Sequence, residues 1–264
     1  PKSFARSYAK SVWDKIKRKN DNEKFRRDYP DVPFLFLSKE VIGGLHDKGY
    51  HGQIGQDYLI DNLFPKQEGL FLDVGANQPF GNSNTYFFEK KGWSGYAFDP
   101  MKSMKARWTE RPGTTFINAA ISEKAETREF VEIEATGGWE HALSSFKEFV
   151  RQEDLRDFEH ITYEVECGPI SEFLEIDRRF DFASVDVEGA EMVVLAGLDL
   201  DTNPPLAMVV ENNHEIGGSG ELRGMMQARG YRLMARINAS DDLFVHRDHE
   251  IPPGFDKLLA DLKG

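Results

Sequence analysis

One cysteine stands in the 264 residues, Cys167, and that scarcity excludes an intrachain disulfide framework and points to a reducing compartment. No apolar run approaches the roughly 18–20 residues needed to span a bilayer. No signal-peptide pattern opens the chain, so a cytoplasmic location is the expectation. Positive charge is also short: the formal net charge is −12. Residues 1–29 hold ten Lys/Arg against four Asp/Glu, which leaves −18 on the remainder. An acidic body repels nucleic-acid backbones and argues against an RNA or DNA partner. Repeats and low-complexity segments are absent. What the chain does have is core-forming material, 40% hydrophobic and 12% aromatic, enough for one large α/β domain with an extension or for two small domains.

The basic residues gather in an N-terminal extension, placed at 1–40. Phe4, Tyr8, Val12 and Ile16 fall four apart with Trp13 beside them, while Lys2, Arg6, Lys10, Lys17 and Arg18 take other faces. This spacing predicts an amphipathic helix over 3–19. Its stripe suits packing on the main domain or in a homo-oligomer. Its basic faces suit peripheral binding at the inner membrane surface, and both options stay open. Asp31-Val32-Pro33 marks a break. Residues 43–55 read as a glycine- and histidine-rich loop, with Tyr50 and His51 placed to roof a pocket, and 56–64 as a short helix.

From there strands and helices alternate, the domain being placed at 41–264. Strands are expected at 70–74, 95–98, 115–121, 181–187, 206–211, 231–236 and 243–246. Helices are expected at 83–91, 101–108, 171–176, 189–196 and 220–229. The pattern predicts a mostly parallel sheet with helices on both faces, and the last two strands, with no room for a helix between them, pair antiparallel. Seven strands ending in such a hairpin make a Rossmann-like class I methyltransferase architecture. Residues 128–166 break the alternation. A strand at 129–134 leads into Gly137-Gly138-Trp139 and a charged helix-like stretch to about 160, so 137–165 read as a lid insertion.

The chemistry sits at strand ends. The segment 71–81 has an acid, Asp73, two residues before Gly75, and Asn77 where a dinucleotide-binding GxGxxG has its second glycine. A carboxylate at that place repels a pyrophosphate and welcomes an α-ammonium group. Asp99 ends the next strand, 24 residues after Gly75, where a carboxylate accepts from both hydroxyls of a ribose. Either acid alone could be a turn or cap residue. Together they predict a site for S-adenosylmethionine (SAM), with adenine near Phe98, Met101, Asn118 and Ala119.

Asp186 and Glu188 stand at the carboxyl end of the strand at 181–187, and Glu211, Asn212, Asn213 and His214 at that of the strand at 206–211. Parallel neighbours would bring Asp186, Glu211 and Asn212 into one crevice, an oxygen set suited to Mg²⁺ or another divalent cation. His214, His141 and Glu188 are the candidate bases for taking a proton from a hydroxyl. Acids after strands also cap helices, which is the plainer role for Glu188 and Glu191.

The stretches FLDVGANQPFGNSNTYFFEKKGW (71–93), YAFDP (96–100), INAAIS (117–122), DFASVDVEGAEMVVLAGLDL (181–200) and VVENN (209–213), with the lead-in GQIGQDYLIDNLF (52–64), resemble the FkbM-type SAM-dependent methyltransferases. The resemblance covers about 50–246. It implies a class I fold and methylation of hydroxyls on sugars, polyketides and related metabolites. It also implies that Asp73, Gly75 and Asn77 contact the methionine portion of SAM, that Asp99 contacts the ribose, and that Asp186 and Glu188 belong to a second signature. The metal set is similar to that of a different group, the Mg²⁺-dependent O-methyltransferases of catechol and macrolide-sugar type. The expected activity is O-methylation of a sugar, glycan or glycosylated metabolite. The alternatives are N- or carboxyl-methylation and a non-catalytic SAM-binding scaffold.

Overall fold

A computed structural model describes residues 20, 22–134, 140–213 and 218–263. Its main sheet has eight strands, in the order β1-β11-β12-β10-β9-β2-β3-β4. The strands are β1 (Phe34–Leu35), β2 (Leu70–Val74), β3 (Ser94–Phe98), β4 (Thr114–Ile117), β9 (Phe182–Val185), β10 (Ala207–Glu211), β11 (Tyr231–Ile237) and β12 (Asp241–His246). Seven of them are those expected, and β12 runs antiparallel between β10 and β11. The eighth corrects the count. Phe34–Leu35 adds a parallel edge strand to β11, so part of the segment assigned to the extension belongs to the sheet.

Period-two side-chain alternation builds two cores from the same strands. Phe71, Phe182, Ala207 and Val209 face one cluster with Leu59, Ile60, Phe88 and Trp93. Leu72, Val74, Ala183, Val185, Met208 and Val210 face the other, with Leu195, Leu222 and Met226. Each of the Val, Leu, Ile, Phe and Met side chains among them contributes about 1.5–3 kcal/mol by leaving water.

Strand β2 lies at the centre, between β3 and β9, with Asp73 beside Ser184 and Val74 beside Phe98. The chain builds to one side through β3 and β4 and to the other through β9 and β10. The crevice beyond the carboxyl ends of β2 and β9 is therefore the topological switch point, where such sheets bind ligands.

The stretch expected as one strand at 115–121 divides, β4 staying in the main sheet and β5 (Ala120–Ile121) leaving it. β5 joins a second sheet of order β5-β8-β6-β7, with β6 (Glu126–Ile133), β7 (Ser145–Phe146) and β8 (His160–Gly168). β6 and β8 pair antiparallel from Glu126↔Cys167 to Ile133↔His160. The charged stretch before 160 is a shorter helix, Gln152–Asp157. In β8 the acids Glu164 and Glu166 alternate with Val165 and Cys167, which face a core shared with Phe130 and Phe146.

Residues 43–55 also differ from expectation. Lys39–Asp47 is a helix capped by Ser38, whose Oγ accepts from Val41 N at 3.3 Å. Gly43 and Gly44 face open space there, so their missing side chains remove no packing, and the boundary at 40/41 falls inside this helix. Residues 22–28 are helical, and Phe25 is fully buried with the Arg223 and Arg236 guanidinium groups 5.0 and 5.9 Å from its ring centre. The helix expected over 3–19 lies outside the described residues. Among those described, no helix is long and apolar enough to cross a membrane.

Candidate active site

The turn after β2 is built by backbone approach. Gly75 has φ +79°, and a Cβ there would stand 1.7 Å from the Asp186 carbonyl oxygen, so only glycine fits. Gly75 N and Ala76 N donate to Phe98 O at 2.9 and 3.1 Å, which ties the loop to the end of β3. Asn77 follows with φ +46° and accepts on its carbonyl from Trp108 Nε1 at 2.8 Å.

Asp99 closes this loop. Its Oδ2 accepts from Asn77 N and its Oδ1 from Met101 N, both at 2.8 Å. Burial pushes its pKa up to about 7, against the pull of those two amides and with Glu132 and Asp73 adding repulsion. Asp73 accepts from Thr85 Oγ1 at 2.6 Å, and burial raises its pKa while Thr85 and Arg111 oppose the shift. Each acid therefore holds the loop as well as lining the cavity. Asn118 does something other than expected. It is absent from the cavity wall, and its Nδ2 donates to Asp99 O and Met101 O at 2.8 and 3.1 Å, a brace behind the site. Ala119 does line the wall, with Phe98, Met101 and Ile121.

Arg111 is a residue that sequence reasoning missed. It is 1% exposed, and its Nη1 donates to Pro79 O at 2.9 Å and Ser83 Oγ at 3.2 Å. Its Nε donates to Glu89 Oε2 at 2.7 Å and its Nη2 to Thr114 Oγ1 at 3.1 Å. The guanidinium thus fastens the far side of the 77–85 loop from beneath. Its partners lie up to 32 residues away, and no local motif announces them.

At the other end of the crevice, the parallel register Val210↔Val185 sets Asp186 beside Glu211. Carboxylate oxygens of Asp186, Glu188 and Glu211 lie within 4.8 Å of one another. Glu188 takes φ +52°, a left-handed conformation that costs a non-glycine residue of order 1–2 kcal/mol. Glu191 supports that turn, its Oε1 accepting from Val187 N and Gly189 N at 3.3 and 3.1 Å. Burial, then repulsion from Glu188, Asp241 and Glu191, raises Asp186 well above the ordinary carboxylate range against a hydrogen bond with Glu211, and burial with repulsion from Asp186 and Glu188 does the same to Glu211. Glu211 Oε1 accepts from Asn213 Nδ2 at 2.5 Å, and its carboxyl also makes a side-chain hydrogen bond with Asp186.

Asn212 does not join them, which corrects the expected metal set. Its Oδ1 accepts from Ser219 N at 2.6 Å and its Nδ2 donates to Asp242 Oδ2 at 2.8 Å, so both ends of the amide are committed. Asp242 is in turn held by Arg223 and Arg236 at 2.7 and 3.0 Å. Glu188 stands where Asn212 was expected. His141 is buried in the cavity wall, Gln78 Nε2 donating to its Nε2 at 2.7 Å, and so sits against the cofactor loop. His214 lies outside the described residues. Tyr50 packs on Phe87 and donates to Asp61, and neither it nor His51 lines the cavity.

One cavity of about 1210 Å³ connects these parts. It runs from Asp73 and Asp99 to Asp186 and Glu211, with Phe130 and Phe146 from the second sheet and Phe149 from the turn after β7 forming a wall. A drug-sized ligand occupies a pocket of roughly 300–1,000 Å³, so the space admits two. The residues fit SAM: two buried carboxylates for its ammonium and ribose donors, apolar Phe98, Met101 and Ile121 for a base, and Asn77 Oδ1 buried without a partner.

A family model described as the Methyltransferase FkbM domain matches residues 73–233. No curated protein matches the chain. Among solved structures, methyltransferase FkbM from Methylobacillus flagellatus KT is 14% identical over 71% of this chain and 48% of its own, with a TM-score of 0.45. This chain thus spans about half of that one's length. A TehB-like SAM-dependent methyltransferase from Corynebacterium glutamicum ATCC 13032 Kitasato is 12% identical over 79% of this chain and 95% of its own, with a TM-score of 0.41. An FkbM methyltransferase domain implies SAM-dependent methyl transfer, and its match takes in both strand-end acid sets described above. With more than half of its length matched, the chain belongs to the FkbM methyltransferase family.

Proposed function

We propose that the chain methylates a hydroxyl of a sugar, a glycan or a glycosylated metabolite. The observation that carries this is the convergence of Asp186, Glu188 and Glu211 in the cavity that Asp73 and Asp99 also line. SAM, when bound, supplies a methyl carbon made electrophilic by its sulfonium. Asp73, Gly75 and Asn77 would hold its amino-acid portion, Asp99 its ribose, and Phe98, Met101 and Ala119 would flank its adenine.

An aliphatic hydroxyl is a poor nucleophile and must give up its proton as its oxygen bonds to carbon. Carboxylates whose proton affinity is raised by burial accept that proton better than solvated ones do, and Asp186 and Glu211 are of this kind. His141, oriented by Gln78, is the second candidate base. Like-charge repulsion from the three acids disfavours carboxyl-methylation. An amine acceptor remains the alternative for the same site, and a scaffold without activity would show no turnover at all.

The same three side chains also suit a hard divalent cation such as Mg²⁺, with Asp186, Glu188 and Glu211 holding it. A cation there would lower the pKa of a bound hydroxyl. The basic segment 1–29 we assign to peripheral membrane or homo-oligomer contact, tested by liposome flotation and by the mass in solution of a chain lacking 1–19.

Methyl transfer from labelled SAM to a panel of glycosides tests the main reading. Label should appear as a methyl ether, and Asp186→Asn should abolish it. Label on nitrogen or on a carboxylate would replace hydroxyl methylation.

A further inference from the structure

A tightly built turn leads into the helix before β2 and lines the cavity. Asp57, 0% exposed, accepts on Oδ2 from His51 N and Gly52 N at 2.5 and 3.0 Å and on Oδ1 from Tyr58 N at 3.0 Å. Gln56 Oε1 accepts from Ile54 N at 2.9 Å. The bond to Tyr58 N belongs to the start of the helix Gln56–Leu63, while the other three fold the preceding turn back onto it. Only glycine fits at position 52, where a Cβ would meet Asp57 Oδ1 at 2.7 Å and Gln56 Oε1 at 2.9 Å. The backbone is thus fixed on both sides of Gln53, whose side chain is exposed and lines the cavity.

Two sets of contacts locate this turn. Gln56 Nε2 donates to Asp241 Oδ2 at 2.9 Å, and Asp241 pairs with Glu211 across β10 and β12. On the other side Gly52 is bridged to Asn82 of the 77–85 loop. Asn84 of that loop donates from Nδ2 to Ser184 Oγ at 3.0 Å, and Ser184 lies beside Asp73 and two residues before Asp186. The turn therefore stands at the junction of the cofactor end and the acceptor end. A buried carboxylate and a buried amide are kept from water at a cost, and their bonds hold the main chain around one exposed glutamine. An amide both donates and accepts, so it complements a hydroxyl in either sense.

We propose that Gln53 is a specificity-determining residue, its amide bonding the hydroxyl next to the one that is methylated, and that Gln56 is a positioning residue that acts through it. The inference rests on the hydroxyl-methylation reading and adds the residue that reads the acceptor's neighbouring hydroxyl.

The full chain with SAM is assayed on the methyl glycoside that it methylates best and on the monodeoxy analogues of that glycoside. Gln53→Ala should raise the acceptor KM by about three- to tenfold, the range of one hydrogen bond between neutral groups, with kcat and SAM affinity each within about twofold. One deoxy analogue should show the same loss with the native chain and no further loss with Gln53→Ala, which ties the residue to that hydroxyl. Gln56→Ala should match Gln53→Ala, and the double variant should have no higher acceptor KM than either. Additive effects would remove Gln56 from its role. Gln53→Ala alters an exposed side chain and decides the matter alone if Gln56→Ala fails to fold. An unchanged acceptor KM in Gln53→Ala, a loss of SAM affinity equal to the rise in KM, or the same penalty from every deoxy analogue in both chains overturns the proposal. If no glycoside is methylated and an amine is, hydroxyl methylation falls by itself, and the KM comparison on that amine still decides the place of Gln53. Methylation of neither class overturns both.

Discussion

A Cβ on Gly75 would lie 1.7 Å from the carbonyl oxygen of Asp186, so the cofactor loop and the first acid of the acceptor end are in direct backbone contact. The two halves of the site share one wall. Gly75→Ala would place a methyl in that contact and force φ +79° on a residue that resists it. SAM binding and turnover should both fall by more than about tenfold, the sensitivity expected when a positioning element shifts by an ångström. Calorimetry and label transfer check this, and a variant with unaltered affinity would show that the loop relaxes.

Asp99 should make SAM binding pH-dependent. Its folded pKa is raised to about 7, and hydroxyl donors prefer the ionised carboxylate. Affinity should therefore rise with pH, by up to about tenfold per unit below pH 7 and little above it. Asp99→Asn should lower the affinity and flatten the profile. For folding of the unliganded protein the sign reverses. Between about pH 4 and pH 7 the native state holds a proton that the unfolded chain has lost, so this group's contribution declines as pH rises through its folded pKa. Chemical denaturation across that window, comparing the native chain with Asp99→Asn, reads it.

Arg111→Ala should destabilise the fold by roughly 3–5 kcal/mol, the cost of breaking a buried ion pair from one side. Its side chain is fully buried, and Glu89, 12% exposed, would keep its charge without a partner. Denaturant titration measures the loss. In Arg111→Lys, one point charge replaces a fork of donors, so part of the stability should return while SAM affinity stays reduced.

Removing divalent metal separates the two ways of activating the hydroxyl. If a cation sits on Asp186, Glu188 and Glu211, EDTA should abolish turnover and Mg²⁺ should restore it. If the carboxylates act alone, turnover should persist in EDTA and Mn²⁺ titrated alone should give no saturable signal. Direct Mn²⁺ binding followed by electron paramagnetic resonance checks the site without an acceptor.

What could be read from the sequence was local. Asp73, Gly75 and Asp99 stand at the ends of apolar runs, and the strand period places them at one sheet edge before any tertiary contact is known. Asp186 and Glu211 follow from the same logic on adjacent parallel strands. Asn212 was misjudged because an amide beside acids resembles a ligand, yet its valences are taken by Ser219 and Asp242, and Asp242 lies 30 residues away. Arg111 could not be found, since its partners lie on the 77–85 loop, on the helix Tyr86–Lys91 that holds Glu89, and on β4 at Thr114. The second sheet was hidden because β8 begins with exposed His160, Ile161 and Thr162, and the alternation of Glu164 and Glu166 with Val165 and Cys167 runs for only four residues, too short a period to read.

The most direct test compares SAM affinity and methyl transfer in Asp99→Ala and Asp186→Ala, with calorimetry for the first quantity and label transfer to a neutral glycoside for the second. Asp99→Ala should weaken SAM binding by about tenfold or more, the worth of one hydrogen bond to a charged group. Asp186→Ala should keep SAM affinity within about threefold, a difference below one kcal/mol, and lose turnover. Equal loss of SAM binding in both variants, or full turnover in Asp186→Ala, would contradict a cavity divided into a cofactor end and an acceptor end.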